Sequence, residues 1–270
     1  MDYISVLRQY FGYPSFRGVQ QEIVESIGSG HDTLGLMPTG GGKSITFQVP
    51  ALAMDGVCIV VTPLIALMKD QVQHLRDRGI LAAAIYSGLS HAEVLQVLDN
   101  AVYGGVKFLY VSPERLSSPL FIAKIQQMKI CFITVDEAHC ISQWGYDFRP
   151  SYLKIAEIRD ILEPQDDTSD TPKYTIPVLA LTATATPQVV DDIQERLAFS
   201  EKKVVRMSFK RDNLVYVVRK TDNKEAELIH ILRSVSGSAI VYTRSRQGTK
   251  DIAKILSSHD ISATFYRAGL

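Results

Sequence analysis

Short apolar runs alternate with segments of helical periodicity from about residue 30 onward, and this alternation restricts the fold more than any other feature. The apolar runs are residues 34–37, 57–62, 82–86, 107–111, 130–135 and 178–181, and most are rich in Val, Ile or Leu. Between them, residues 64–78, 91–103 and 187–197 carry apolar side chains at spacings of three and four, as helices do. Strands that are buried on both faces and joined by crossover helices give this pattern. The sequence therefore predicts an α/β fold, a parallel sheet with helices on both faces.

The alternation stops around residues 199–213 and then resumes in a shorter series. That series contains predicted strands at residues 214–219, 238–243 and 263–266, and predicted helices at residues 224–234 and 246–257. We predict a first domain over residues 1–206 and a second α/β domain over residues 207–270. A doubly wound domain usually needs more than roughly 100 residues to cover its sheet, so the second domain is expected to be incomplete. Residues 164–177 are polar, acidic and without periodicity, and they are predicted to form an exposed loop.

Composition narrows the classes of function. The chain has 29 basic and 29 acidic side chains, so a nucleic-acid partner has to be argued from local residues rather than from net charge. No apolar run approaches the roughly 20 residues that span a bilayer, and the first residues lack the pattern of a leader, so no membrane partner is expected. The three cysteines, Cys58, Cys131 and Cys140, form no CxxC pair. We therefore expect reduced structural thiols and no zinc site.

A glycine-rich turn follows the first predicted strand and leads into a segment that can form a helix. Its candidate ligand-binding residues are Thr39, Gly40, Gly41, Gly42, Lys43 and Ser44. Successive glycines allow backbone N–H groups to surround a phosphate, Lys43 can reach the β- and γ-phosphates, and the Ser44 hydroxyl can bind Mg²⁺. Met37 stands where the strict phosphate-loop pattern has its first glycine. The turn predicts a site for a nucleoside triphosphate with Mg²⁺; the alternative is a strand-to-helix turn with an exposed lysine.

Two acidic residues, Asp136 and Glu137, directly follow the predicted strand at residues 130–135. Ligands of open α/β sheets bind at the carboxyl ends of the strands, so both acids should face the same crevice as the glycine-rich turn. We predict that Asp136 holds Mg²⁺ and that Glu137 orients or deprotonates the attacking water. The alternative is a pair of capping or solvated acids. At another strand end, residues 182–186 carry three threonines that could sense the phosphate state, and Thr186 is also expected to cap the following helix.

The run DEAHCISQWGYDFRP at residues 136–150, together with MPTGGGKS at residues 37–44, resembles the RecQ family of superfamily-two helicases. DEAH alone occurs in many helicases, but DEAH followed at once by this aromatic-rich run resembles RecQ proteins specifically. In that family the run couples binding of single-stranded DNA to ATP hydrolysis. The resemblance implies a catalytic role for His139 and DNA contacts by Trp144, Tyr146, Phe148 and Arg149. Aromatic faces stack on bases without sequence preference; the alternative is that the three aromatics form one buried face of a strand.

The resemblance covers the whole chain. Near its start, it implies that Tyr13 and Arg17 sandwich the adenine ring of ATP and that Gln20 hydrogen-bonds the edge of the ring. The alternative there is an amphipathic helix followed by a turn. The resemblance also implies that two strand-end segments grip the DNA backbone, through Thr62, Pro63, Ser112 and Pro113. Turn and capping roles are the alternative for these four residues.

The functional expectation comes from the family. The resemblance implies two RecA-like motor domains that bind ATP and Mg²⁺ and step 3′ to 5′ along single-stranded DNA, unwinding partly duplex DNA in recombination and repair. Residues 242–245 and 266–270 resemble the first motifs of the second motor domain, although the family commonly has histidine where Arg267 stands. In RecQ proteins the second motor domain continues with an arginine finger, and a zinc-binding region and a winged helix follow it. The resemblance assigns none of these features to residues 1–270. We therefore expect this chain to bind ATP but to hydrolyse it poorly.

Two other functions are compatible with these residues. The chain could be a nucleotide-binding interaction module that unwinds nothing, or it could belong to an RNA helicase of the DEAH type. The aromatic-rich run argues against the RNA helicase. The expected location is intracellular, in the cytoplasm and associated with the nucleoid if the source is bacterial, and no protein partner is predicted.

Overall fold

A computed structural model gives the fold of residues 2–145, 147–163, 174–210 and 213–266. Tyr146, residues 267–270 and most of the predicted acidic loop, residues 164–173, lie outside the described residues. The chain divides into two compact units, Met1–Lys210 and Arg211–Leu270, and each is described by itself.

Seven parallel strands form the sheet of the first unit. They are β1 (Thr33–Leu36), β2 (Val57–Val61), β3 (Ala82–Ile85), β4 (Phe108–Val111), β5 (Ile130–Val135), β6 (Val178–Thr182) and β7 (Val204–Arg206). Their order across the sheet is β3-β4-β2-β5-β6-β1-β7. The six predicted strands are confirmed to within one or two residues. The sequence pattern missed β7, which pairs with β1 from Leu34↔Val204 to Leu36↔Arg206, because it is only three residues long.

Helices cover both faces of this sheet, which confirms the predicted α/β class. They are α1 (Tyr3–Phe11), α2 (Gln20–Gly28), α3 (Lys43–Ala53), α4 (Ile65–Arg76), α5 (His91–Val102), α6 (Pro119–Ile125), α7 (Lys154–Leu162) and α8 (Pro187–Arg196). Buried side chains of α2, α3 and α4 pack on one face, and those of α5 to α8 pack on the other. Strand residues alternate between the two layers, as Ile59 and Val60 do, because successive side chains of a strand point to opposite faces. Both faces are therefore apolar, as the unbroken apolar strands require.

Helix boundaries follow local capping chemistry. The Ser90 side chain accepts a hydrogen bond from the backbone of Glu93, while the Glu93 side chain accepts one from the backbone of Ser90, which closes the first turn of α5. The Thr186 side chain accepts from Val189 N at the start of α8. The prediction that Thr186 caps this helix is confirmed.

A buried ion pair holds the edge of the sheet where the strands begin. Arg159 Nη2 donates to both carboxylate oxygens of Asp32, at 3.0 and 3.2 Å, and both side chains are at most 2% exposed. Asp32 also accepts from Val178 N and Ser200 N, each at 2.8 Å. These bonds connect the starts of β1 and β6 with the segment that leads into β7. The opposite charge and these hydrogen bonds offset much of the cost of burying the guanidinium, although Arg159 Nε has no partner among the described residues.

The second unit contains two helices among its described residues, α9 (Lys224–Ser234) and α10 (Arg246–Ser258), and both confirm predicted helices. The strands predicted at residues 214–219, 238–243 and 263–266 are wrong: the described backbone there forms no strand. Val218 is 99% exposed and Ile240 is 79% exposed. An apolar, β-branched segment becomes a strand only when its backbone groups pair with a neighbour, and these segments pair with none of the described residues.

Within the described ranges we find no helical segment with the length and hydropathy that crossing a membrane requires.

Candidate nucleotide-binding site

Residues at or near the carboxyl ends of β4, β2, β5 and β1 line one cavity of about 290 Å³. The predicted phosphate-binding turn and the predicted acidic pair both line it. The polar lining residues are Thr39, Gly40, Gly42, Lys43, Ser44, Thr62, Gln71, Tyr110, Asp136 and Glu137. The strand order explains this convergence, because only β6 separates β1, which leads into the turn, from β5, which leads into the acids.

The glycine-rich turn has a backbone that other residues could not easily adopt. Gly42 has φ +77° and precedes the first residue of α3, Lys43. A Cβ on Gly41 would lie 2.9 Å from the carbonyl oxygen of Pro38. The chain can therefore turn tightly enough to direct the free backbone N–H groups at the start of α3 toward the cavity, where the helix dipole favours an anion.

Lys43 and Glu137 meet across the cavity. Lys43 Nζ lies 3.8 Å from Glu137 Oε1, and the two side chains are mostly buried. One end of this pair comes from the predicted phosphate-binding turn and the other from the predicted water-activating acid. The geometry thus brings a cation that can pair with phosphate next to a carboxylate that can accept a proton.

Asp136 occupies the most desolvated position of the acidic pair. Burial and, after it, the nearby carboxylate of Glu137 raise the pKa of Asp136 to about 6, although Lys43 acts in the opposite direction. Glu137 N donates to Asp136 Oδ1 at 3.0 Å, and the hydroxyl of buried Tyr152 donates to the Asp136 carbonyl oxygen at 3.0 Å. Glu137 itself has φ +48°, a left-handed conformation that is rare for glutamate. The chain is bent sharply there so that both carboxylates remain at the cavity.

His139 lies directly behind the acidic pair. Its Nδ1 lies 2.9 Å from Thr182 Oγ1 and 3.3 Å from Glu137 Oε2. Burial lowers the pKa of His139, although Glu137 and Asp147 act in the opposite direction. The imidazole is therefore neutral near pH 7. It connects the end of β5 to the end of β6.

His139 also lines a second cavity, of about 470 Å³. Its remaining lining residues are Trp144, Gly145, Ala183, Thr184, Ala185, Thr186, Val189 and Phe209. Trp144 is 67% exposed. His139 therefore contacts Glu137 and also lines a cavity with an exposed indole.

The aromatic-rich run is not a strand. Among its described residues, 142–145 and 147–149 form turns and irregular backbone, which contradicts the alternative of a strand with one buried aromatic face. Arg149 is held in place by Asp147, at 3.1 Å, and donates from Nη1 to the Pro63 carbonyl oxygen at 3.4 Å. Phe148 is half-buried, and Tyr146 lies outside the described residues.

The residues predicted to read adenine lie beside the phosphate-binding turn. The Arg17 guanidinium carbon lies 5.6 Å from the centre of the Tyr13 ring. Gln20 is buried, and its Nε2 donates to the carbonyl oxygens of Gly41 and Gly42 at 3.2 Å each. Tyr13 and Arg17 do face one another, but both Gln20 amide atoms are engaged, since its Oε1 accepts from Arg17 N at 2.9 Å. The alternative of a helix followed by a turn also describes this region, because α1 ends at Gly12 in a left-handed conformation.

The four residues predicted to grip the DNA backbone are less accessible than that role suggests. Thr62 and Ser112 are each 2% exposed, and their hydroxyls have no hydrogen-bond partner among the described residues. Thr62 lines the nucleotide cavity instead of an open surface. Pro113 is buried at the first position of a short 3₁₀ helix, as the alternative of turn roles expects, and Pro63 is half-buried. Their DNA contacts stay predictions.

Sequence reasoning missed Gln48, Gln71 and Tyr110, which lie in or beside the nucleotide cavity. A signal for Gln71 did exist. Met68, Val72 and Leu75 form the buried stripe of α4, and Gln71 is a polar residue at helical spacing within that stripe. A polar side chain on a helix face that points inward needs a partner.

The three cysteines are free and buried, as predicted. His139, Cys140 and Asp147 offer three potential metal-ligand atoms within 4.8 Å of one another. Burial, followed by the charge of Asp147, raises the pKa of Cys140 to about 12, and its Sγ donates to Asp147 Oδ2 at 3.6 Å. A thiol with this pKa is a poor metal ligand near neutral pH. The absence of a zinc site stays a prediction.

Comparisons with known proteins agree with this geometry. The DEAD/DEAH box helicase family model matches residues 17–193. The chain is 41% identical to the ATP-dependent DNA helicase RecQ of Bacillus subtilis, over 98% of this chain and 44% of that protein. It is 40% identical to the probable ATP-dependent DNA helicase RecS of the same organism, over 98% of this chain and 52% of that protein. The chain thus spans about half the length of the curated relatives it matches.

Solved structures show the same fold. The crystal structure of the DUF1998 helicase MrfA superposes with a TM-score of 0.69 at 17% identity, covering 96% of this chain and 40% of that chain. At 17% identity the superposition shows only that the two chains share a fold. That fold is RecA-like. Because the family model matches well over half of the residues and two curated relatives are about two-fifths identical, the chain belongs to the DEAD/DEAH box helicase family and, within it, to the RecQ group.

Proposed function

We propose that this chain is the ATP-binding motor region of a DNA helicase and that it uses ATP hydrolysis to move along single-stranded DNA. The observation that carries the proposal is the 3.8 Å approach of Lys43 Nζ to Glu137 Oε1 in a cavity that Ser44 and Asp136 also line. The names of the B. subtilis relatives, both ATP-dependent DNA helicases, support the same activity.

The residues present fit a nucleoside triphosphate with Mg²⁺. Ser44 and Asp136 offer the oxygen ligands that Mg²⁺ prefers, and the buried Thr62 hydroxyl lacks a protein partner among the described residues. The tight turn at Gly41 and Gly42 depends on glycine, because a Cβ would collide with the Pro38 carbonyl oxygen at Gly41 and with the Gln20 side chain at Gly42. When bound, the metal ion would neutralise charge on the β- and γ-phosphates.

Each protein group has a separate task in hydrolysis. Lys43 pairs with the phosphate oxygens and stabilises the charge that spreads over them in the transition state. Glu137 orients a water molecule against the γ-phosphorus and takes its proton as the bond to the β,γ-bridging oxygen breaks. The products are ADP and inorganic phosphate. Asp136 and Ser44 hold the metal ion, so Asp136 must be ionised for this chemistry.

We further propose that DNA binds beside the second cavity. Trp144 offers an exposed indole for stacking on bases, and Phe148 and Arg149 lie in the same run. His139 contacts Glu137 and lines this cavity, so it is suited to pass the presence of DNA to the hydrolytic carboxylate.

The finer parts of the proposal rest on the family. We propose that residues 1–206 form the ATP-binding motor domain and that residues 207–270 belong to a second RecA-like domain. Movement is 3′ to 5′, and the whole protein acts in recombination and repair, inside the cell where its DNA is. Poor ATP hydrolysis by this chain alone is part of the same proposal, because an arginine finger typically contributes about 10³ to 10⁵ in rate.

The experiment compares ATP hydrolysis by this chain and by its longer parent protein, with single-stranded DNA, with RNA and with neither. DNA should stimulate hydrolysis more than RNA does, and the longer protein should be much faster. Lys43→Ala should abolish both ATP binding and hydrolysis in either protein. Stronger stimulation by RNA would overturn the DNA substrate, and unchanged ATP affinity in Lys43→Ala would overturn the site itself.

A further inference from the structure

Two glutamines connect helix α4 to the phosphate-binding turn. Gln71 Nε2, on α4, donates to Ser44 Oγ at 3.2 Å, and Gln48 Nε2, on α3, donates to Gln71 Oε1 at 3.3 Å. Ser44 and Gln71 are 27 residues apart in sequence.

We propose that Gln71 is a positioning residue for Ser44: it fixes the serine hydroxyl so that one oxygen lone pair points to the divalent cation. The inference rests on the proposed function, because it assumes that Ser44 binds that cation. A serine hydroxyl has one hydrogen and two lone pairs. The Gln71 N–H takes one lone pair, which leaves the other for the metal ion and the hydrogen for a phosphate oxygen.

Without Gln71 the Ser44 side chain could adopt other rotamers and hydrogen-bond to other groups. Ser44 is the second residue of α3, and serine side chains in the first turn of a helix readily hydrogen-bond to nearby backbone groups. Three staggered rotamers are available to a serine χ1 angle. A hydrogen bond from outside the helix therefore selects the rotamer that faces the cavity, before any ligand arrives.

Gln71 can select the rotamer of Ser44 because its own side chain is fixed by neighbouring residues. Met68, Val72 and Leu75, on the same helix, are buried in the core. The amide oxygen of Gln71 is fixed by Gln48, which is buried and lies beside the hydroxyl of Tyr110. Burial raises the pKa of Tyr110, while the neighbouring Gln48 side chain acts in the opposite direction. Both ends of the Gln71 amide are thus engaged.

The test measures ATP binding by calorimetry, with MgCl₂ and with EDTA, for the wild type, Gln71→Ala and Gln73→Ala. Gln73 is the matched control, since it lies on the same helix but is exposed and donates to Asp77 Oδ1, at 2.8 Å. We expect Gln71→Ala to weaken binding about three- to tenfold with MgCl₂, the effect of one lost hydrogen bond, and to leave metal-free binding nearly unchanged. Gln73→Ala should match the wild type in both conditions.

A double-mutant cycle with Ser44→Ala completes the test. If Gln71 acts through Ser44, adding Gln71→Ala to Ser44→Ala should cause no further loss. Equal losses with MgCl₂ and with EDTA, or no loss with MgCl₂, would overturn the inference while the proposed function stands. A wild-type protein that binds ATP equally well with and without Mg²⁺ would overturn both.

Discussion

His139 Nδ1 lies 2.9 Å from Thr182 Oγ1, and this contact joins the segment after β5 to the end of β6. The same ring nitrogen lies 3.3 Å from Glu137 Oε2. A change in the loop that carries Trp144 can therefore reach the carboxylate of Glu137 through one ring. Since burial lowers the pKa of His139, the ring is a neutral hydrogen-bonding group and not a fixed cation at neutral pH.

We expect His139→Ala to retain ATP binding within about twofold but to reduce DNA-stimulated hydrolysis by about tenfold, the effect of a lost buried hydrogen bond. Thr182→Val should cause the same defect, because it removes the other end of the contact. His91→Ala, at an exposed position, serves as the control. Hydrolysis is measured across a DNA titration. If DNA stimulated ATP hydrolysis normally in both variants, the contact between His139 and Thr182 would not couple DNA binding to hydrolysis.

The raised pKa of Asp136, about 6, predicts a pH dependence with a definite sign. Because the folded-state pKa exceeds the ordinary value of 3.8, ionising this carboxyl costs free energy in the folded protein. The unliganded protein should therefore lose stability as pH rises from about 4 to about 6. Binding of ATP with Mg²⁺ should strengthen over the same rise, by up to about tenfold for each pH unit below 6, since the metal requires the ionised form.

Calorimetric ATP binding between pH 5 and pH 8 checks this dependence. Asp136→Asn is the control, because it keeps the shape of the side chain but cannot ionise. The protonation of ATP itself is the same for both proteins, so the difference between the two curves isolates Asp136. Parallel curves would contradict the prediction.

Gln20 is expected to support the phosphate-binding turn as well as, or instead of, reading adenine. Its Nε2 donates to the carbonyl oxygens of Gly41 and Gly42, so Gln20→Ala should weaken ATP and GTP binding to a similar extent, by about three- to tenfold. Gln21→Ala, at the exposed neighbour that bonds Glu25, should change neither affinity. Competition binding with both nucleotides measures this. A loss confined to ATP would favour the adenine contact.

The buried pair of Asp32 and Arg159 is expected to be a major source of stability. Asp32→Ala should lower the free energy of unfolding by about 3 to 5 kcal/mol, because it leaves a buried guanidinium and two backbone N–H groups without their acceptor. Glu157→Ala, which breaks an exposed pair with Lys154, should cost less than about 1 kcal/mol. Urea unfolding compares the two. Similar losses would argue against this account.

The local sequence pattern is sufficient to predict much of the secondary structure of the first unit. Six strands and the helices α4, α5 and α8 follow from apolar periodicity, and the turn at Lys43 and the acid at Glu137 follow because parallel strands place their carboxyl ends together. The strands predicted after residue 213 failed because β propensity does not supply a pairing partner. The three-residue strand β7 gave too short a pattern to detect.

Contacts between distant residues could not be predicted in the same way. Asp32 and Arg159 are 127 residues apart, and nothing near either residue indicates the other. Gln71 reaches Ser44 only because α4 packs next to the phosphate-binding turn, and Gln20 reaches Gly41 only because α2 packs against α3. Such contacts depend on the order of strands and the packing of helices, which a single sequence does not state.

A protein that moves along DNA, as we propose for this chain, has to transmit force through its own sheet. Asp32 directly precedes β1, and its carboxylate accepts from Val178 N at the start of β6 and from Ser200 N before β7; these three strands lie side by side. Force applied where the strands end would therefore be shared among all three instead of peeling one away. Because that anchor is buried, water cannot readily replace its hydrogen bonds, so this part of the sheet would resist shear as a single piece.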